Sequence, residues 1–235
     1  MIDHNWQKFN RLVTGPSGSG KTTLAVSMLA ELQPQRLVAL DSKGDLYGKL
    51  RETFGATARL VWHPSELMAS VNQGTRVTVL QLSEQWPSRL AAFRWFFAAL
   101  YRAAETLPGR TVAFCDELQD FAPQGPQAVV PKEFMECLEK ARCRQLDLLC
   151  ACQAANRVNT AIRSQLTELV TFRQSEAEAL KFTRGFEIPD RDVKALGKHQ
   201  WIMRNGETGL VTLGGPKKTE RAAARVEDRR GKATA

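Results

Sequence analysis

RLVTGPSGSGKTTLAVSMLAEL, running from Arg11 to Leu32, decides the fold class. Leu12 and Val13 close an apolar, β-favouring run, Gly15 to Gly20 form a loop free to adopt positive φ, and from Lys21 apolar residues recur at helical spacing. Strand, loop and helix in this order match GxxxxGK[ST] at Gly15, Gly20, Lys21 and Thr22. In such a loop, backbone N–H groups and the positive end of the helix dipole hold the α and β phosphates of a nucleotide. The predicted nucleotide-binding segment is therefore Gly15, Pro16, Ser17, Gly18, Ser19, Gly20, Lys21, Thr22 and Thr23. Lys21 is expected to reach the β and γ phosphates, and Thr22 to ligate Mg²⁺ through its hydroxyl. A glycine-rich turn that binds nothing is the alternative, and the run of consecutive matches in a strand-to-helix context stands against it.

Composition bounds what surrounds this loop. A chain of 235 residues, 43% hydrophobic and 25% charged, suits one compact α/β domain, which at this size buries about 70% of its unfolded surface. Five cysteines lie without metal-ligand spacing, and Cys115, Cys150 and Cys152 fall inside apolar runs where free cysteine acts as a small hydrophobe. This argues for a reducing cytosol and against zinc. The longest apolar stretch, LAAFRWFFAALYRAAETL from Leu90 to Leu107, is interrupted by Arg94 and Arg102. Phe93, Phe97, Leu100 and Ala104 form one stripe along it, as in a core-facing helix rather than a membrane span. MIDHNWQKFN has no apolar run of the kind that opens a signal peptide, so no leader and no intrinsic membrane segment are expected.

Along the chain, strand-like runs alternate with helical ones. RLVAL (Arg36 to Leu40), RLVWH ending at His63, RVTVLQL (Arg76 to Leu82), TVAFCDE (Thr111 to Glu117), LDLLCAC (Leu146 to Cys152) and ELVTF (Glu168 to Phe172) read as strands. A charged helix is expected from Lys132 to Gln145. Such alternation predicts a mainly parallel sheet flanked by helices. QWIMRNGETGLVTLGG adds a C-terminal antiparallel hairpin that turns at Asn205 and Gly206.

TVAFCDE carries the second piece of chemistry. A buried strand ending in two acids sets Asp116 and Glu117 at the carboxyl edge of the sheet, where open α/β sheets bind ligands. Asp116 is expected to hold Mg²⁺, and Glu117 to deprotonate a water for attack on the γ phosphate. A helix-capping pair is the alternative. A kinase must keep water from the γ phosphate, so a base beside the metal ligand argues for hydrolysis. No Asn-Lys-x-Asp guanine-reading loop and no LSGGQ-like segment is present, which leaves ATP as the preferred nucleotide.

LVALDSKGDLYG, VAFCDE and KARCRQLDLLCACQAANRVNTAIRSQL together resemble the FtsK-HerA superfamily of DNA-pumping ATPases, from about Arg11 to Phe182. The resemblance implies a RecA-like P-loop NTPase of the additional-strand, catalytic-glutamate type. In that fold the LDLLCAC strand lies between the phosphate-loop strand and the acid-bearing strand. It also implies that Gln153 senses the γ phosphate and that Arg142 is an arginine finger facing a neighbouring subunit, with Arg144 as its competitor. Phe134, Leu138 and Ala141 make an apolar stripe that sets Arg142 at its edge. Asp41 and Lys43 match a segment of the family and have no assigned role beyond supporting the nucleotide side of the sheet.

A core of this length most resembles the genome-packaging ATPases of membrane-containing icosahedral viruses and phages. That resemblance implies an ATP-hydrolysing translocase of double-stranded DNA, working as a homo-oligomeric ring, expected as a hexamer, with capsid or portal-vertex proteins as partners. It would act in the host cytoplasm and on the virion. The other readings are a HerA-like, plasmid or cellular DNA pump, a zonula-occludens-toxin-like assembly or secretion ATPase, and a non-motor ATP-binding switch. Residues 1–215 are expected to form the ATPase domain and 216–235 a basic, disordered tail. That tail holds seven Lys/Arg against three Asp/Glu, +4 of the net +8, and reads either as a solvated terminus or as an arm for nucleic acid. FAPQGPQAVVP, Phe121 to Pro131, reads as a pore-facing loop or as an ordinary connection.

Overall fold

A computed structural model describes residues 9–84, 86–125, 128–140 and 145–215. Expectations for Arg142, Arg144, Ala141 and the tail from 216 onward lie outside the described residues, as do positions 126 and 127 of the Pro-rich loop.

The phosphate-loop region folds as β1 (Asn10–Thr14), a loop, and α1 (Lys21–Leu32). β2 (Arg36–Asp41), α2 (Leu46–Phe54), β3 (Ala58–Val61), α3 (Pro64–Asn72), β4 (Val77–Gln81) and α4 (Arg89–Thr106) follow. Then come β5 (Thr111–Cys115), α5 (Lys132–Lys140), β6 (Leu146–Cys152), β7 (Glu168–Phe172), α7 (Ala177–Gly185) and α8 (Asp190–Ala195), with the short α6 (Thr160–Arg163) ahead of β7. The chain closes on β8 (Trp201–Asn205) and β9 (Val211–Gly214). Among the described residues nine strands make one sheet in the order β3-β4-β2-β5-β6-β1-β7-β8-β9. β1 to β7 pair in parallel, and β7-β8-β9 pair antiparallel. β6 sits between β1 and β5, as the resemblance to additional-strand ATPases implies.

Both faces of the sheet are covered, so its strands are apolar on both sides. Leu12, Ala113, Cys115, Leu148, Cys150 and Cys152 enter the core on one face, and Val13, Val112, Phe114, Leu149 and Ala151 enter it on the other. That is the two-residue alternation of a pleated strand. The α4 stripe at Phe93, Phe97, Leu100 and Ala104 is buried. Phe93 stacks on Phe121 at 4.7 Å, and Phe97 meets Phe134 of α5 edge-on at 4.6 Å. This cluster fixes the segment that follows the two acids. Cys115, Cys137, Cys150 and Cys152 are buried and form no disulfide among the described residues. No helix of the described residues is long and apolar enough to cross a membrane.

Two of the boundaries that differ from the sequence reading have a visible cause. His63 does not end β3 but opens α3, where Glu66 Oε2 accepts the N–H groups of Trp62 and His63 at 3.0 and 3.1 Å and Pro64 starts the helix. Gln145 is not helical: its φ of +51° turns the chain into β6. The hairpin turns after Asn205, whose Oδ1 accepts from Glu207 and Thr208 at 3.0 and 2.8 Å, and it spans a longer loop than a two-residue turn.

Candidate active site

The register of the sheet brings the chemistry to one edge. Thr14 of β1 lies beside Cys152 of β6, and Cys115 of β5 lies beside Cys150, so the phosphate loop, Asp116, Glu117 and Gln153 leave neighbouring strands at the same end. Gly15 N–H continues the ladder to the Cys152 carbonyl at 3.3 Å. An alanine at Gly15 would set its Cβ 2.7 Å from Phe172 Cβ, so the loop leaves the strand against β7 through a contact only glycine allows. Gly20 caps α1 at φ +101° with no side-chain cap, which leaves the first N–H groups of the helix for a ligand.

Lys21 is buried, and its Nζ donates to the Pro16 carbonyl at 3.1 Å across the loop. Burial holds its ammonium below the usual lysine range, against the pull of Glu117 and Asp116. Ser19 Oγ is buried and has no hydrogen-bond partner among the described residues, as suits a hydroxyl lining a loop that could take an anion. Thr22 Oγ1 donates to Asp116 Oδ2 at 3.2 Å, and Glu117 N–H donates to Asp116 Oδ1 at 3.0 Å. Burial, then the adjacent Glu117 charge, raises the Asp116 pKa. A buried carboxylate raised in this way is one that a cation would stabilise. Two hard oxygens from the protein fit Mg²⁺, which completes its octahedron with phosphates and water rather than with a protein cage.

Glu117 adopts φ +55°, ψ +50°, a left-handed conformation unusual for a non-glycine residue, and it lies 5% exposed. Lys43 Nζ donates to its Oε1, and Gln119 Nε2 donates to its Oε2. Burial pushes its pKa up, but the hydrogen bonds from Lys43, Gln119 and Gln153 outweigh it, and the carboxyl stays below its ordinary value. Gln153 N–H donates to Gln119 Oε1 at 3.3 Å, so the end of β6 is wired to the acid through Gln119. Gln153 also lines a small cavity with Pro16 and Ser17 of the loop and with Arg157 and Arg173.

A cavity of about 340 Å³ lies over the loop, lined by Gly18, Gly20, Lys21, Thr22, Thr23, Lys43, Asp116, Glu117 and His199. A second, more apolar opening of about 530 Å³ adjoins it and shares Gly20, Thr23 and His199. Leu24, Phe172 and Trp201 form its apolar wall. His199, at φ +62°, places Nδ1 2.9 Å from the Ser19 carbonyl, which pins the approach to β8 onto the loop. Among the described residues no group of three or more His, Cys, Asp or Glu is placed to hold a metal.

Lys21, Thr22, Asp116 and Glu117 line one cavity, and Gln153 lines a smaller one with Pro16 and Ser17 of the loop. Lys43, Gln119 and His199 were not assigned roles. Lys43 stood in the Asp-Ser-Lys-Gly segment, which was its only signal, whereas His199 meets the loop from 180 residues away and no local pattern marks it.

No protein-family model matches the chain, and no curated protein sequence matches it. In structure it is similar to the genome-packaging NTPase B204 from Sulfolobus turreted icosahedral virus 2 in complex with AMPPCP. That likeness has a TM-score of 0.69 at 18% identity and covers 88% of this chain and 97% of that one. It is similar also to the plasmid coupling protein TrwB in complex with ADPNP, with a TM-score of 0.57 at 10% identity, over 89% of this chain and 85% of that one. The cytoplasmic domain of the Thermomonospora curvata type VII secretion ATPase EccC matches with a TM-score of 0.56 at 14% identity, over 90% of this chain and 24% of that one. The fold is that of the P-loop NTPases.

Proposed function

We propose that this chain is a Mg²⁺-dependent ATPase that translocates double-stranded DNA, and that it drives a viral genome into a preformed capsid. The observation that carries the reading is β6, which sits between the phosphate-loop strand and the acid strand and ends in Gln153, in a chain whose fold matches a packaging NTPase over nearly the whole of both molecules.

The residues divide the chemistry as follows. The loop from Gly15 to Thr23 binds the phosphates, and Lys21 exchanges the Pro16 carbonyl for the β and γ oxygens. Thr22 and Asp116 would hold Mg²⁺, which would offset the charge of the phosphate oxygens. Glu117 takes a proton from water as the water oxygen bonds to the γ phosphorus. The bond from that phosphorus to the β,γ-bridging oxygen breaks, and its electron pair leaves on ADP. Gln153, joined to Gln119 and lining a cavity with Pro16 and Ser17, would report whether a γ phosphate is present. The opening beside His199 and Trp201 is the natural seat for adenine, since it joins the phosphate cavity and is the more apolar of the two.

A packaging motor must step over every sequence, so contacts to phosphates rather than bases suit it. A pI near 9.5 agrees with an anionic track. A homo-oligomeric ring, with Arg142 completing a neighbour's site and capsid-vertex proteins as anchors, would place the protein in the host cytoplasm and at the virion vertex. The test is ATP turnover with and without long duplex DNA, followed by displacement of a protein roadblock. Sequence-independent stimulation, with binding that weakens at a log-log salt slope of about −0.9 per phosphate neutralised, is expected. If duplex DNA neither binds at low salt nor raises turnover, even with capsid proteins present, the motor reading fails and an ATP-binding switch replaces it.

A further inference from the structure

The turn after β2 is built to present one side chain. Asp41 Oδ1 accepts the N–H groups of Lys43 and Gly44 at 3.1 and 2.7 Å, and its Oδ2 accepts those of Leu46 and Tyr47 at 3.0 and 3.2 Å. Four bonds to one buried carboxylate fix the backbone on both sides of Lys43. Gly44, at φ +86°, completes the turn, and a Cβ there would stand 3.0 Å from Gln81 Nε2. From this fixed base the Lys43 side chain crosses to Glu117, where the two ends of the ion pair are unequal: the lysine side chain is 47% exposed and the glutamate side chain 7%. Glu117 is held further by its left-handed backbone and by Gln119, whereas Lys43 has a flexible four-carbon stem. One partner is anchored and the other is free to swing. It borders the same cavity as Gly18, Gly20, Lys21 and Thr22.

Resting on the ATPase reading above, we propose that Lys43 is a further catalytic residue: it holds the Glu117 carboxylate while no γ phosphate is bound, and transfers to the γ phosphate of ATP, freeing the base. The competition is between a single carboxylate charge and a phosphoryl group of greater charge density, and an ammonium is a point-charge donor suited to either. While Lys43 is on Oε1 and Gln119 on Oε2, each carboxylate oxygen already accepts a hydrogen bond, and a water must compete with Lys43 for Oε1. After transfer, Oε1 is open and Lys43 stabilises the charge of the γ oxygens. ADP offers no γ phosphate, so the clamp re-forms after product release and idle turnover is suppressed. Lys49, the third lysine at this cavity beside Lys21 and Lys43, pairs with Asp45 at 3.8 Å.

The experiment compares the affinities of Mg-AMPPNP and Mg-ADP for the full chain and for Lys43→Ala, Lys43→Arg, Glu117→Gln and the Lys43→Ala/Glu117→Gln double variant. Lys43→Ala should weaken AMPPNP binding about tenfold and leave ADP within about twofold. Lys43→Arg should recover part of the loss. Glu117→Gln removes the competing charge, so it should tighten AMPPNP binding several-fold, and that gain should vanish in the double variant. Equal weakening of AMPPNP and ADP by Lys43→Ala, unchanged AMPPNP binding, or a Glu117→Gln gain that survives the loss of Lys43 overturns the inference. If the unaltered chain binds neither nucleotide, the ATPase reading itself falls. Nucleotide binding and hydrolysis without this pattern sink only the role of Lys43.

Discussion

Thr22 Oγ1 and Asp116 Oδ2 lie 3.2 Å apart, joining the first turn of α1 to the carboxyl end of β5 across 94 residues. The same two oxygens point to a shared cation. Turnover should therefore need Mg²⁺ and stop in EDTA, and Thr22→Ala or Asp116→Asn should raise the Mg²⁺ concentration at half-maximal rate. Lys21→Ala should weaken nucleotide binding. Glu117→Gln should still bind but should lose about 10² to 10⁴ in rate, the usual contribution of a general base. Normal turnover by Glu117→Gln would remove Glu117 from the role of base.

The base seat gives a prediction of a different kind. Trp201 of β8 rests on Gly214 of β9, where an added Cβ would stand 2.1 Å from the indole, so the hairpin holds the ring against the paired strand. Adenine is bound alike in ground and transition state, and Trp201→Ala should raise KM for ATP about tenfold with kcat nearly unchanged. Binding of inorganic tripolyphosphate, which has no ring, should not change. A parallel loss for tripolyphosphate would show that Trp201 supports the loop rather than the base.

Local sequence carried the elements but not their long-range wiring. The phosphate loop, the acid pair and the LDLLCAC strand each have a pattern that chain-neighbour physics explains: glycine freedom, strand ends, unbroken apolar runs. The ends of β3 and α5 did not, because His63 is drawn into a helix cap with Glu66 and Gln145 takes a left-handed turn. Lys43 has only a weak local signal and His199 none, because each meets the site through a contact of 74 or 180 residues in sequence, which only the assembled sheet creates.

Asp147 shows the same limit inside a strand that reads as apolar. It is fully buried, and its carboxylate accepts Phe9 N–H at 3.0 Å and Arg110 Nε at 2.9 Å, tying β6 to the entry of β1 and to the start of β5. Removing one partner of a buried pair leaves the others unsatisfied, and Asp147→Ala should cost about 3 kcal/mol, read as a lower urea midpoint. Asp147→Asn keeps one acceptor for Phe9 and should cost less. A loss within about 0.5 kcal/mol for Asp147→Ala would mean that water replaces the carboxylate.

The last prediction concerns Arg142, to which the resemblance to DNA-pumping ATPases assigns a role across a subunit boundary. The described part of α5 ends at Lys140, two residues before it, and Phe134 and Leu138 bury the inner face of that helix. If Arg142 acts on a neighbour, Arg142→Ala should bind ATP and hydrolyse it poorly, by about 10³ to 10⁵ where such a finger is removed. Lys21→Ala subunits have the finger and lack a working loop. Mixing the two should restore activity at junctions where an intact loop meets an intact arginine, with a maximum at intermediate ratios. Rings shown to be mixed, yet inactive at every ratio, would place the arginine in its own subunit's site or assign the role to Arg144. Arg144→Ala, measured in the same mixtures, decides between those two.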